Sequence, residues 1–246
     1  NKMLGFEVIS QILLVNDHPV EQLDFPWNEI FVAGYGAGLR TEGTEDYSQY
    51  FAADAVYSLF KYIHTLQNPE LIWRRLVNIA VEAAGDGKEK DAEEKVNKSI
   101  EEKLKELLGL NPEDTISLLN NGIFITSDWG TQELSALGDG YRALTTMIMD
   151  IYSWQLLMLN HDVVLRELEE NTSVDWEQLD FDNTLAGIII IDEVEKHLHP
   201  KLQRTILQKL NNIFPNIQFI ISTHSPLCIS GAADTKEEIF KVFLSY

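Results

Sequence analysis

Four consecutive isoleucines, Ile188 to Ile191, run straight into Asp192 and Glu193. An apolar run without polar alternation predicts a strand buried on both faces, as in a parallel sheet covered by helices. Pro200 then opens a predicted helix with Leu202, Ile206, Leu210 and Ile213 on one face, and Pro215 closes it before a second strand, Ile217 to Ile221. A strand, helix, strand unit delivers Ser222, Thr223 and His224 to the sheet edge that carries Asp192 and Glu193. Upstream, Ile30 to Ala33 predicts another strand, and Ala52, Ala55, Val56, Leu59, Phe60 and Ile63 recur with a helical period. A helix after Pro69 is expected to turn Leu71, Ile72, Leu76, Ile79 and Ala83 inward. The charged stretch that follows carries a narrow stripe of Ala92, Val96, Ile100, Leu104 and Leu107. With only about two heptads, a solvated helix packed on its neighbours fits that stretch better than a coiled-coil arm. A further helix follows the stretch Leu137 to Tyr141, with Leu144, Met147, Ile148 and Ile151 apolar.

These elements predict one α/β domain. Its parts are the remainder of an N-terminal lobe over 1–47, a helical subdomain over 48–120, and a chemistry-bearing lobe over 121–246. At 246 residues and 45% hydrophobic content the chain can bury a large core. No apolar run approaches the roughly 20 residues needed to span a bilayer, and there is no signal peptide, so no membrane partner is expected. A single cysteine, Cys228, excludes an internal disulfide and fits a cytoplasmic location. Its apolar surroundings suggest a buried structural thiol.

The formal charge of −20 opposes a nucleic-acid clamp, which needs a cationic surface. Lys201, Gln203 and Arg204 are modest candidates for a local patch, with solvated helix residues as the default. DNA contact is better assigned to other segments or partners. Glu167, Glu169, Glu170, Asp175, Glu177, Asp180 and Asp182 form an acidic run that is either a solvated face or a docking surface for a basic subunit.

The chemistry lies at the predicted strand ends. Asp192 is placed to hold Mg²⁺, and Glu193 to orient and deprotonate a water aimed at a γ-phosphate. An acidic pair that simply starts a helix is the competing reading. His224 has the spacing of a phosphate sensor, against the alternative of a satisfied structural histidine. Gly138, Asp139 and Gly140 precede a helix, where backbone N–H groups make an anion site; an ordinary glycine turn is the alternative. Asp192, Glu195, His197 and His199 also raise a zinc site, but there is no H-E-x-x-H pattern and no convincing third ligand.

Asp192-Glu193, His197-Leu198-His199-Pro200, Thr223-His224-Ser225-Pro226 and the stretch from Gln132 to Ile151 together resemble the ATP-binding-cassette ATPases of the SMC, RecF and OLD type. Stand-alone AAA-type ATPases of bacterial defence systems are the most similar. The resemblance implies a P-loop NTPase fold like an ABC ATPase head, with a largely parallel sheet, helices on both faces and a helical subdomain. It makes Asp192 the magnesium aspartate, Glu193 the catalytic base and His224 the switch histidine. His197 and His199 belong to a D-loop that crosses a dimer interface, and Gly138 to Gly140 form the signature loop that reaches the partner's ATP. Relatives often carry serine at Gly138, so a hydroxyl contact is missing here. Gly140 and Asp192 lie 52 residues apart, longer than in transporter nucleotide-binding domains. Long zinc-hook or hinge arms are absent as well, which argues against a full SMC protein.

No G-x-x-x-x-G-K-[ST] sequence occurs in the 246 residues. Gly34 to Thr41 imitates one with the wrong spacing, and in relatives such a Gly-Tyr-Gly segment lies downstream of the true P-loop. Arg40 is then either a nucleotide contact or a turn-anchoring, exposed residue. The P-loop is expected upstream of Asn1, and with it ATP and Mg²⁺ as ligands. By the same resemblance the assembly is a homodimer or higher oligomer acting with a nuclease (HNH or TOPRIM) or a toxin effector in antiphage defence, as in Septu-like systems. The alternatives are a weakly or non-hydrolysing ATP-gated scaffold and a DNA repair ATPase of RecF or OLD type.

Overall fold

The computed structural model describes residues 30–38, 41–42, 51–61, 65–84, 87–120, 122–170 and 185–233, with backbone alone at 41–42, 83, 159–170 and 233. Arg40, Ile63 and the acidic residues from Asp175 to Asp182 lie outside the described residues. Glu167, Glu169 and Glu170 fall where only the helix backbone is described.

A three-stranded parallel sheet carries the edge to which the residue pattern assigns the chemistry. Strand β1 (Phe31–Tyr35), β7 (Gly187–Ile191) and β8 (Ile217–Ile221) lie in the order β1-β7-β8. Their registers pair Tyr35 with Ile191 and Ile191 with Ile221, so all three strands end level. β7 needs its isoleucines because it is central: Ile189 and Ile191 are fully buried, and Ile188 and Ile190 half-buried. Gly187 is required where β7 starts, since a Cβ there would sit 2.2 Å from the Phe31 carbonyl oxygen.

Of the helix expected over 52–63, the described residues 52–61 do not form a continuous helix. An α-turn, α1 (Ala52–Ala55), ends at Val56 and is followed by a 3₁₀ turn over Tyr57–Leu59. Phe60, expected inward, is 81% exposed. The cause is a tertiary contact: Ser58 Oγ donates to the Gly34 carbonyl at 2.6 Å and accepts from Gly36 N–H at 3.2 Å, pinning the segment to the end of β1. Two short strands, β2 (Thr41–Glu42) and β3 (Thr65–Leu66), pair in parallel beside it.

Helix α2 (Pro69–Ala84) starts where its proline predicts, with Asn68 Oδ1 accepting from Leu71 N–H at 3.0 Å. Its face is rotated from the expected one. Ile72, Trp73, Leu76 and Ala80 are buried, while Leu71 is exposed. Trp73 decides this, because its indole N–H reaches Asn97 Oδ1 at 2.7 Å on α3 (Glu89–Leu108). All five stripe residues of α3 are buried, its outer face carries the i,i+4 pairs Lys90–Glu94 and Lys98–Glu102, and Gly109 ends it at φ 66°.

An antiparallel sheet of β4 (Thr115–Leu119), β5 (Gly122–Ser127) and β6 (Gly130–Glu133) follows, which the apolar pattern did not suggest. Its turns use positive φ at Asn120 (53°) and Gly130 (111°). A 3₁₀ turn (Leu134–Leu137) leads into α4 (Asp139–Glu170), where Leu144, Met147, Ile148 and Ile151 are buried as expected. Helix α5 (Pro200–Ile213) buries the four residues assigned to its face, each worth about 1.5–3 kcal/mol. It packs on α6 (Pro226–Ala233), within which Cys228 is buried. Among the described residues, no helix is long and apolar enough to cross a membrane. The described residues form a mixed α/β fold with a parallel sheet and packed helices.

Candidate functional site

Because β7 and β8 end level, the loops that leave them run side by side. Ser222 joins them: its N–H donates to the Ile191 carbonyl at 3.0 Å, its hydroxyl donates to Asp192 Oδ1, and that hydroxyl accepts from Glu193 N–H at 2.9 Å. Asp192 N–H in turn donates to the Tyr35 carbonyl at 2.8 Å, which locks the aspartate to β1. Glu193 adopts φ 48°, a left-handed conformation uncommon for a residue with a Cβ. Its carboxylate lies 3.9 Å from His224 Nε2 and 3.5 Å from Lys196 Nζ. The Lys196 ammonium also donates to the Ala37 carbonyl, so a cation bridges the β1 and β7 loops beside Glu193. Asp192, Glu193 and His224, the three residues assigned to chemistry, therefore converge on one edge, with the His224 imidazole 87% exposed.

The glycine loop and the histidine loop also meet. A Cβ on Gly140 would lie 2.1 Å from the His197 carbonyl oxygen, so the first turn of α4 rests directly on the backbone of the β7–α5 loop. His197 itself sits at φ 65° with an exposed side chain. Gly138 at φ 114° has open space around it, and Asp139 is exposed. His199 has a local role as well: it is the N-cap of α5, with Nδ1 accepting from Lys201 N–H at 3.3 Å.

Three groups to which residue patterns gave no part in this edge help build it. Glu195 accepts the Thr223 hydroxyl at 2.6 Å and the His224 N–H at 2.7 Å. Burial pushes its carboxyl up, but the bonds from Thr223 and His224 outweigh this and leave it below the ordinary glutamate value. Gln203, considered above for a cationic patch, turns inward instead, donating to the Leu198 carbonyl at 2.9 Å and accepting the Ser225 hydroxyl at 2.7 Å. Lys201 and Arg204 remain exposed. The third group is Asp150 on α4, buried beneath β1, which accepts from Tyr35 Oη at 3.0 Å and from the Gln67 backbone and side-chain N–H groups at 3.2 Å. Burial pushes its carboxyl up to about 6 despite those donors. A lone aspartate inside an apolar helical run, between Met149 and Ile151, was the available signal. Cys228 is buried, which pushes its thiol up, in line with a structural role.

A family profile described as "AAA domain, putative AbiEii toxin, Type IV TA system" matches residues 86–230, more than half of the chain. The chain belongs to this AAA family. The matched range includes the glycine loop, both carboxylates, the histidine loop and His224. Among curated proteins, the chain is 62% identical over 53 residues to "Retron Vc95 probable ATPase" of Vibrio cholerae serotype O1 biovar El Tor, covering 22% of this chain and 10% of that protein. It is 34% identical over 102 residues to "Septu protein PtuA" of Bacillus mycoides (strain KBAB4), covering 42% and 11%. Over 41 residues it is 55% identical to "Retron Ec83 probable ATPase" of Escherichia coli, covering 17% and 8%. The matches thus span about a tenth of the length of these relatives. A crystal structure of an SMC head bound to the C-winged helix domain of ScpA aligns with TM-score 0.39 and 13% identity, over 73% of this chain and 54% of that one, a likeness that carries no argument.

Proposed function

We propose that this AAA-family domain hydrolyses ATP at the edge formed by β1, β7 and β8, as part of a defence ATPase that controls an effector. The observation that carries the reading is the level ending of β7 and β8, which sets Glu193 and His224 3.9 Å apart beside Asp192. Asp192 and the Ser222 hydroxyl bonded to it are hard oxygen donors suited to Mg²⁺, which would neutralise charge on phosphate oxygens. Glu193 orients and deprotonates the attacking water. His224, exposed beside it, hydrogen-bonds the terminal phosphate and reports its presence to the loop behind. A P-loop held by another segment cradles the nucleotide.

The exposed Gly138–Asp139 loop, His197 and His199 face outward on the side where Gly140 packs on the β7–α5 loop. In a head-to-tail homodimer or higher oligomer they meet the partner's nucleotide and D-loop, giving an ATP sandwich. The retron and Septu relatives support a role in defence; the nuclease or toxin effector is what the resemblance of the motifs implies.

Glu193→Gln in the full-length protein tests this. It is expected to keep ATP binding and to lose turnover by roughly 10²–10⁴-fold, the usual contribution of a positioned general base. Unchanged turnover would remove Glu193 from that role. The missing hydroxyl at Gly138 favours one second reading, a non-hydrolysing scaffold; nucleotide-dependent effector binding without turnover in the unmutated protein would select it.

A further inference from the structure

The side chain of His224 is 87% exposed, so packing does little to fix where it points. Its backbone sets its position, and that backbone is fastened to the β7–α5 loop. Glu195 Oε1 accepts the His224 N–H at 2.7 Å, and Oε2 accepts the Thr223 hydroxyl at 2.6 Å. Val194 N–H donates to the Ser222 carbonyl at 3.3 Å on the same seam. Behind it, Gln203 holds the Leu198 carbonyl with its amide N–H and the Ser225 hydroxyl with its amide oxygen. The Thr223 hydroxyl also accepts from Ser225 N–H at 3.1 Å, so the loop carrying His224 is folded around the carboxylate.

We propose that Glu195 is a positioning residue for hydrolysis: its carboxylate clamps the His224 loop to the Asp192–Glu193 loop and so aims the imidazole. The proposal rests on the ATPase reading above. A carboxylate suits the task because it accepts two donors at once through two equivalent oxygens, in charge-assisted bonds. Glutamine keeps one such oxygen, and alanine keeps neither.

The test compares full-length wild-type protein with Glu195→Ala, Glu195→Gln and Thr223→Val. It reads kcat and KM for ATP, and hydrogen exchange of peptides covering 217–221 and 222–226. Misaiming a group by about 1 Å can cost on the order of 100-fold, so kcat for the alanine variant is expected to fall roughly 10–100-fold. KM should stay within about threefold, because the loss falls on the transition state and not on binding. Glutamine should recover part of the rate. Exchange should quicken at 222–226 and not at 217–221, since the exposed His224 amide loses its acceptor.

A folded alanine variant with kcat within about twofold of wild type overturns the proposal, as does a loss carried wholly by KM. Should the alanine variant not fold, Thr223→Val removes one of the two clamp bonds together with the acceptor of the Ser225 N–H, and is read in the same way with Glu195→Gln as its control. If wild type and Glu193→Gln turn over equally, the ATPase reading fails by itself. The exchange data then still decide the clamp, which falls if 222–226 is unchanged.

Discussion

Replacing Asp150 by asparagine isolates a buried carboxyl whose ionised form is disfavoured by desolvation. The aspartate is 3% exposed on α4, and its neighbours are Tyr35 at the end of β1, Gln67 beside β3, and Trp154 one turn along the helix. Burial raises its carboxyl from 3.8 to about 6, so between those values the folded protein binds a proton that the unfolded chain does not. The associated stability is fully present below about pH 3.8 and is lost as pH rises through about 6. A shift of roughly two units at 1.36 kcal/mol each gives about 3 kcal/mol in all, of which about 2 kcal/mol falls between pH 4 and 7.5. Asparagine has nearly the same shape, can still accept from Gln67, and does not titrate. Urea unfolding of the full-length protein and of Asp150→Asn, followed by tryptophan fluorescence, gives the difference in stability at each pH. Relative to wild type, the asparagine variant should gain about 2 kcal/mol on going from pH 4 to 7.5. A difference that is flat with pH, or that changes in the opposite direction, would refute the claim that desolvation dominates at this site.

Gly140→Ala places a methyl 2.1 Å from the His197 carbonyl, so α4 or the β7–α5 loop must move; turnover is expected to fall about tenfold or more, and an unchanged rate would show the contact is soft. The Arg142 guanidinium holds both oxygens of Glu70, which is 5% exposed. Arg142→Met is therefore expected to lose about 3–5 kcal/mol by leaving that carboxylate unpaired, and Glu70→Gln in the same background to regain part of it, both measured by chemical unfolding. Together with the Glu193 and Glu195 variants above, these separate the chemistry of the edge from the packing that builds it.

Much of the region from Gly187 to Ile221 could be read from residue order alone. The isoleucine run, Pro200, the four-residue face of α5 and Pro215 are local signals, and each element formed where they placed it. Asp192, Glu193 and His224 were legible for the same reason, since they follow directly from strand ends. The stripe of α3 was equally clear, because a highly charged helix can bury only its few apolar residues. Where a distant partner decides, the pattern failed. Residues 52–60 have a helical period, yet the Ser58 hydroxyl is bonded to β1, and that contact breaks the helix. Trp73 turned α2 through its bond to Asn97, and the hairpins of β4 to β6 depend on Asn120 and Gly130, whose turn chemistry is weaker than an apolar period.

What the sequence determined by itself was therefore which residues stand at the strand ends and which elements carry them, because propensity, proline placement and apolar period act over a few residues. The tertiary structure decided how those groups are aimed. The carboxylate of Glu195, the amide of Gln203, the contact of Gly140 with His197 and the burial of Asp150 join residues from 5 to 115 positions apart. Hydrogen bonds and desolvation depend on distance in space, and only the folded chain sets that distance.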